Sequence, residues 1–373
     1  MQVQIVGAGV IGLSIAWELS RRGADVSVIE RGEIGRESSW AAAGILPAAR
    51  ADTAPDKVEF LRGLSHALYP RWADVLKEST GVDIGLRRCG GIYMASSVGE
   101  AASLLAGLQY ERDLKLDVQR LTPEQFAVAE PSLAEWARSP RFLAAVLSHD
   151  EWQIRPPDLL AALTIACERN GVRIETQTSA TVRIEDEMAW VEVDGVPRPA
   201  AEQLLVTAGP WTGQLAGRWN LASSTIPIRG QIMMYKFDAP PITHVINEGH
   251  RYFVPRDDGR VLIGSCEEEA GFAKATTEEM LEPLRLWAES LLPSLRGRVV
   301  EKQWCGLRPG TVDGFPIIGR APGMKNLSIA AGHYRSGIHL APITAVAVAD
   351  LLFDAKNGID LTPFGVGRFL KPE

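Results

Sequence analysis

Three glycines within six residues, Gly7-Ala8-Gly9-Val10-Ile11-Gly12, make the stretch whose spacing most directly specifies a ligand chemistry. Gly7 permits a tight turn, Gly9 lets backbone approach a pyrophosphate, and Gly12 lets a helix lie close against a strand. Amides at the start of that helix, with the positive end of its dipole, would face the phosphates. Glu30 stands eighteen residues beyond Gly12, where a carboxylate accepts from the ribose hydroxyls of an adenine nucleotide. Arg31 could pair with a 2′-phosphate, but Glu30 beside it would repel one, so NADP is disfavoured. Metal chemistry has no comparable signal. Cys89, Cys167, Cys266 and Cys305 lie far apart without a CxxC and read as reduced thiols. The histidines form no ligand pattern, so no metal is expected.

The elements around these residues follow from hydrophobic spacing. Residues 2–6 are a short apolar run suited to a buried strand. Residues 10–22 place Ile11, Ile15 and Leu19 on one helical face, and 25–29 read as a second strand ending at Glu30. Residues 35–46 read either as a loop running into a helix or as small-residue backbone that could lie flat against a large planar ligand. Helices are predicted over 60–80, 100–113, 156–170, 277–292 and 342–353, and another starts at Thr122-Pro123. Strands are predicted at 90–94, 142–150, 172–176, 202–209 and 327–332, with a hairpin or meander over 180–185 and 189–193. Alternating strands occupy 228–237, 251–255 and 261–263, with the turn Asp257-Asp258-Gly259 before the last.

Length and charge narrow the function classes. At 373 residues and 46% hydrophobic content the chain can bury a large core, and two domains are expected. A net charge of −7 supplies no basic face, so nucleic acid is not expected as a partner. No run of about twenty apolar residues occurs, so no membrane span is expected. The start of the chain carries no leader-like segment, which makes the cytoplasm the expected location.

Further motifs run from end to end: Gly35-Arg36-Glu37-Ser38-Ser39-Trp40, Ala43-Gly44-Ile45-Leu46, Val206-Thr207-Ala208-Gly209-Pro210-Trp211, Gly230-Gln231, Arg251-Tyr252-Phe253-Val254-Pro255-Arg256, Gly306-Leu307-Arg308-Pro309-Gly310 and Gly332-His333-Tyr334-Arg335-Ser336-Gly337. Together with the opening glycines they resemble the D-amino acid oxidase family of flavoproteins, in its bacterial glycine oxidase branch. The fold implied is α/β with α+β inserts. A Rossmann-type doubly wound FAD-binding domain takes residues 1–82, 145–225 and 306–373, and a mostly antiparallel substrate domain takes 83–144 and 226–305.

The resemblance implies FAD rather than NAD. Around it would lie Gly7, Gly9, Val10, Ile11, Gly12, Glu30, Arg31, Ser38, Ser39, Ala43, Gly44, Ile45, Ser179 and Gly209. The loop of His333, Tyr334, Arg335, Ser336, Gly337, Ile338 and His339 would reach the flavin's pyrimidine edge. The helix expected near Pro342 would turn its positive end towards the reduced ring. Cys305 falls one residue before the position, Gly306, at which some sarcosine oxidases tether their flavin, so a non-covalent FAD is expected.

A small amino acid would be the substrate and O2 the acceptor. Hydride passes from Cα to the flavin, and the resulting imine hydrolyses to an oxo acid and ammonia, with H2O2 released on reoxidation. Such chemistry needs orientation of the Cα–H bond more than a strong protein base. The resemblance makes Tyr252, Arg308 and Arg335 the catalytic and substrate-binding group. Arg308 matches the carboxylate arginine, Tyr252 donates to the same carboxylate, and Arg335 is a second pocket arginine. Ile45 and His250 would line the pocket. Glu267 falls where an apolar pocket residue is usual, and His339 where relatives carry an aliphatic one. These two positions leave glycine, sarcosine, a small D-amino acid and a basic amine open as substrates. Glu267 itself could pair with Arg335 or His339, attract a cationic group, or face solvent. A homo-oligomer and a role in making the thiazole half of thiamine are further expectations. The alternatives are a D-amino acid dehydrogenase passing electrons to a quinone or carrier, and a flavoprotein of this fold that oxidises no amine.

Overall fold

The computed structural model describes residues 1–355 and 358–370. Its opening unit is the strand Gln2–Val6, the helix Val10–Arg21 and the strand Asp25–Ile29. The first strand lies inside a six-stranded sheet ordered Ile317–Arg320, Leu327–Ala331, Gln203–Val206, Gln2–Val6, Asp25–Ile29, Arg173–Glu175. All neighbours are parallel except the first pair. Period-two alternation sends successive side chains to opposite faces. Val3 and Ile5 pack with the helices Val10–Arg21, Lys57–Thr80, Pro156–Arg169 and Gly337–Leu352. Val6, Leu204 and Ile329 instead face Val182, Ala189 and Val191 of a meander, Ala180–Glu185, Met188–Val193, Val196–Pro197. Both faces of the parallel sheet are thereby covered, as its apolar strands require.

A second sheet has eight strands, ordered Lys302–Thr311, Thr225–Lys236, Arg260–Gly264, Arg251–Pro255, Val245–Glu248, Gly91–Ala95, Ala144–Ser148, Val118–Arg120. Every pairing is antiparallel except that of Val245–Glu248 with Gly91–Ala95. One face buries Phe253, Phe126 and Trp136 with the helix Glu278–Leu291, whose Trp287 stacks on Phe253 at 4.8 Å. On the other face Ile232, Val254 and Leu262 meet Ala43 and Ile45 of the first half. The candidate site lies on that inner face. Among the described residues no helix is long and apolar enough to cross a membrane.

Two expected boundaries fall inside strands, and one helix starts earlier than expected. The boundary expected at 145 falls inside the strand Ala144–Ser148, which is laddered on both sides into the larger sheet. Similarly, the boundary at 306 falls inside Lys302–Thr311, hydrogen-bonded along Thr225–Lys236. The last helix begins at Gly337, five residues before Pro342, so the proline lies inside it. A proline there removes the amide that would bond the Ile338 carbonyl. The buried Tyr69 hydroxyl donates to that carbonyl instead. One residue on, Ser65 Oγ donates to the His339 carbonyl at 2.6 Å and accepts from Ile343 N at 3.3 Å. The long helix Lys57–Thr80 thus supplies the bonds that Pro342 interrupts.

Candidate active site

Two cavities meet between the sheets. The first, of about 360 Å3, runs over the glycine turn. Gly7 has φ +111°, and a Cβ on it would lie 2.7 Å from the Thr207 carbonyl oxygen. A Cβ on Gly12 would overlap the Gly7 carbonyl, so only glycine lets the helix sit this close. Val10 N donates to Ser39 Oγ at 2.9 Å. Glu30 accepts from Ala8 N at 2.8 Å and Gly32 N at 2.9 Å, which ties its carboxylate to the turn on the cavity wall. Arg31 lies 3.8 Å over the Trp211 ring and 3.6 Å from Glu37. Its charge is engaged there, away from any 2′-phosphate role.

The second cavity, of about 350 Å3, shares Ser38, Ala42, Tyr334, Arg335 and Ile338 with the first. Antiparallel register builds its wall. Arg308 pairs with Ile228, Gly230 with Gly306, and Tyr252 with Gly264. A Cβ on Gly230 would overlap the Arg308 guanidinium, and one on Gly264 would overlap the Tyr252 ring. Arg308 Nη2 donates to Ser265 Oγ at 2.6 Å and Nη1 to the Cys266 carbonyl at 3.1 Å. Both acceptors are neutral, and among the described residues no ion pair engages Arg308. Burial raises the Tyr252 hydroxyl above its ordinary value, against a smaller opposing pull from Arg308, so it stays a donor at neutral pH. Burial, with Arg251 next, lowers His250 below the ordinary histidine range.

Arg335 is differently placed. Its Nη2 lies 2.6 Å from Glu267 Oε1, its Nε donates there at 2.9 Å, and the Tyr334 hydroxyl donates to the same oxygen. Burial works to raise the Glu267 carboxyl, but Tyr334 and Arg335 outweigh it and hold it below the ordinary range. Of the two arginines, Arg308 is the one that pairs with no carboxylate among the described residues.

A family model described as FAD dependent oxidoreductase, the DAO family, matches residues 2–351. The chain belongs to that family. It is 34% identical over 369 residues to the glycine oxidase of Geobacillus kaustophilus, covering 99% of this chain and 97% of that one. It is also 34% identical to the glycine oxidase of Pseudomonas putida, covering 97% of each. The crystal structure of the Geobacillus enzyme superposes with a TM-score of 0.91 at 33% identity, over 98% of both chains.

FAD is the family's cofactor, and the first cavity fits it. A glycine cradle, a helix N-terminus and the Glu30 carboxylate stand in the order that pyrophosphate and ribose require. Of the residues expected around FAD, Gly7, Gly9, Val10, Ile11, Glu30, Arg31, Ser38, Ser39, Ser179, Gly209, His333, Tyr334, Arg335, Gly337 and Ile338 line this cavity. Ala43, Gly44, Ile45, Ser336 and His339 line the second cavity instead, with Tyr252, His250 and Arg308. Gly12 lies beneath the turn, and Glu267 is outside both walls, reaching them through Arg335 and Tyr334. His339 is buried with its Nε2 3.3 Å from His66 Nδ1, and burial holds its ring well below the ordinary range.

Several wall residues escaped the sequence reading. Trp211 carries no spacing signal of its own. Arg62, which donates to Ser336 Oγ at 2.9 Å, looked like one more polar position on a long helix. Tyr93 was visible as a polar position in an apolar strand, whereas Asn247 lies on Val245–Glu248, a strand of four residues too short to show a clear period.

Proposed function

We propose that this chain oxidises glycine or a related small amino acid, using FAD and O2 and releasing ammonia and H2O2. The observation that carries the reading is Arg308, a guanidinium without an anionic partner, in a cavity continuous with the FAD cavity at Tyr334-Arg335. Similarity to two glycine oxidases over nearly the whole chain supports the substrate class. Bound FAD supplies the two-electron acceptor for the hydride on Cα. Arg308 takes the substrate carboxylate in its planar fork, and the Tyr252 hydroxyl donates to the same group. Ser265, the Cys266 carbonyl and the room left by Gly230 hold that fork in place before substrate arrives. Orientation of this kind is what the step needs from the protein. Ile45, Ile232 and Ile338 give the wall the apolar surface that excludes water. Arg335, neutralised by Glu267, steadies the loop between the cavities rather than competing for the carboxylate.

In this reading the six-stranded half holds FAD and the eight-stranded half supplies the clamp. The chain works as a cytoplasmic homo-oligomer, its free thiols suiting a reducing compartment, and its product feeds the thiazole half of thiamine. Anaerobic addition of a panel of amino acids to the flavin-loaded protein tests the central claim. Bleaching by glycine, with H2O2 on readmission of air, is the expected result. Bleaching by no amine would overturn it, and reduction without reoxidation by O2 would make the protein a dehydrogenase.

A further inference from the structure

Glu151 is fully buried, forms no ion pair among the described residues, and plays no part in the clamp. The Tyr93 hydroxyl donates to its Oε2, and Asn247 Nδ2 donates to Oε1 at 3.2 Å. Gly91 makes room for it, since a Cβ there would overlap Oε1. The two donors are not an arbitrary pair. Tyr93 lies opposite Asn247, Asn247 opposite Tyr252, and Tyr252 opposite Gly264, so they form one row across four strands. Residues directly opposite one another share a face of the sheet. Tyr93, Asn247 and Tyr252 accordingly all line the second cavity. Tyr252 and Arg308 stand at one end of this row and Glu151 underlies the other.

An ionised carboxylate can only accept hydrogen bonds. It therefore takes the Tyr93 hydroxyl hydrogen and turns the Asn247 amide nitrogen towards itself. What Tyr93 then retains is an oxygen lone pair, and the Asn247 oxygen lies on the side of the amide away from Glu151. We propose that Glu151 is a positioning residue for the substrate's amine: by engaging the donors of Tyr93 and Asn247 it makes that end of the row an acceptor pole, which begins at Asn247, about one strand spacing (~5 Å) from the carboxylate pole at Tyr252, and ends at Tyr93, one strand further on. This rests on the reading that Arg308 and Tyr252 take the carboxylate. An amine offers N–H donors and matches such a wall, whereas a ligand with a carboxylate alone gains nothing from it.

The same geometry makes amine binding depend on pH. Burial pushes Glu151 up to about 7, against the hydrogen bonds from Tyr93 and Asn247, and Glu111 adds in the same direction. Cys89 and Tyr93 are the other titratable groups that sense it, and Arg62 acts on Tyr93. Once protonated, Glu151 becomes a donor, and the Tyr93 hydrogen is free to turn to the cavity. Recognition of the amine is then lost as pH falls through about 7.

The flavin-loaded protein and its Glu151→Gln and Tyr93→Phe variants test this with glycine as substrate and acetate as an inhibitor that has a carboxylate but no amine. Each variant is expected to raise KM for glycine about tenfold while acetate inhibition shifts by less than about twofold, because the net loss of one hydrogen bond amounts to a factor of up to about ten. Glu151→Gln should also lose the acidic limb of the kcat/KM profile near pH 7. Equal weakening of glycine and acetate, or no weakening of either, would make Glu151 a structural residue and overturn the proposal. Should Glu151→Gln fail to fold, Tyr93→Phe still decides, since it removes one hydroxyl at a partly exposed position. A wild-type protein that no amine reduces would overturn the oxidase reading itself, a result obtained before any variant is compared.

Discussion

The two cavities are nearly equal in volume and are built by different means. The first is walled largely by backbone and small side chains from short contiguous stretches, such as Gly7 to Ile11, Ile29 to Arg31 and Thr178 to Thr181. The second depends on long side chains that arrive from strands far apart in the chain, Tyr93, Asn247, Tyr252 and Arg308, brought together by register. A site made of backbone is specified by local spacing and by the absence of Cβ atoms. A site made of side chains is specified by which hydrogen bonds and charges remain unspent once the strands have paired. The first should therefore fail when an atom is added and the second when a polar group is removed.

The largest effect is expected in the first cavity. A Cβ on Gly9 would already touch Ser39 Oγ at 3.2 Å, and that oxygen caps Val10 N. Gly9→Val adds two more carbons, and overpacking of this kind costs about 1–3 kcal/mol even in a core free to adjust. The variant should purify with little or no FAD, read as visible absorbance per protein. A fully loaded, yellow variant would break the view that backbone makes this site. In the second cavity, Arg308→Ala should leave the flavin spectrum intact and lower kcat/KM for glycine by roughly two to three orders of magnitude. Losing one partner of a buried charge pair costs about 2–5 kcal/mol. Arg308→Lys should recover little, because a point charge does not reproduce the fork held by Ser265.

A smaller effect separates the two arginines. The Arg335–Glu267 pair is more than a third exposed on both sides, where such pairs contribute about 0.2–1 kcal/mol. Glu267→Gln should thus reduce efficiency up to about fivefold, and by the same factor for glycine and a longer D-amino acid. A tenfold change in their ratio would instead place Glu267 in contact with substrate. The smallest effect concerns His339, whose Nδ1 is buried without a partner. Burial holds His339 well below its ordinary value and lowers His66 to about 4. The unfolded chain protonates these rings below about 6.5 and the folded chain does not, so their contribution to stability is lost as pH falls through that value. His339→Leu should raise the melting temperature more at pH 5 than at pH 8, by ~2–4 °C for each kcal/mol recovered. Equal shifts at both pH values would mean that packing alone matters there.

Much of the architecture was legible. The glycine turn, Glu30 and the strands Ala180–Glu185 and Arg251–Pro255 announce themselves through local spacing. The start of the last helix was not legible, because Pro342 looks like a first-turn residue when read alone. Ser65 and Tyr69, which satisfy the carbonyls around it, belong to another helix. Glu151 follows directly on the strand expected over 142–150, and nothing in the local sequence singles it out. Its burial depends on Gly91 and Asn247, neither of them near in sequence.

By itself the sequence determined the dinucleotide cradle and the family, since the cradle rests on residue types at short spacings and the family on motifs spread along the chain. The tertiary structure alone decided which charges are spent and which remain available. Arg335 is neutralised by Glu267 while Arg308 is bonded only to neutral oxygens, and Glu151 draws the donors of Tyr93 and Asn247. Ion pairs and hydrogen bonds form or fail within a few tenths of an ångström, at about 2.7–3.2 Å. No linear spacing records whether two side chains from different sheets come within that distance.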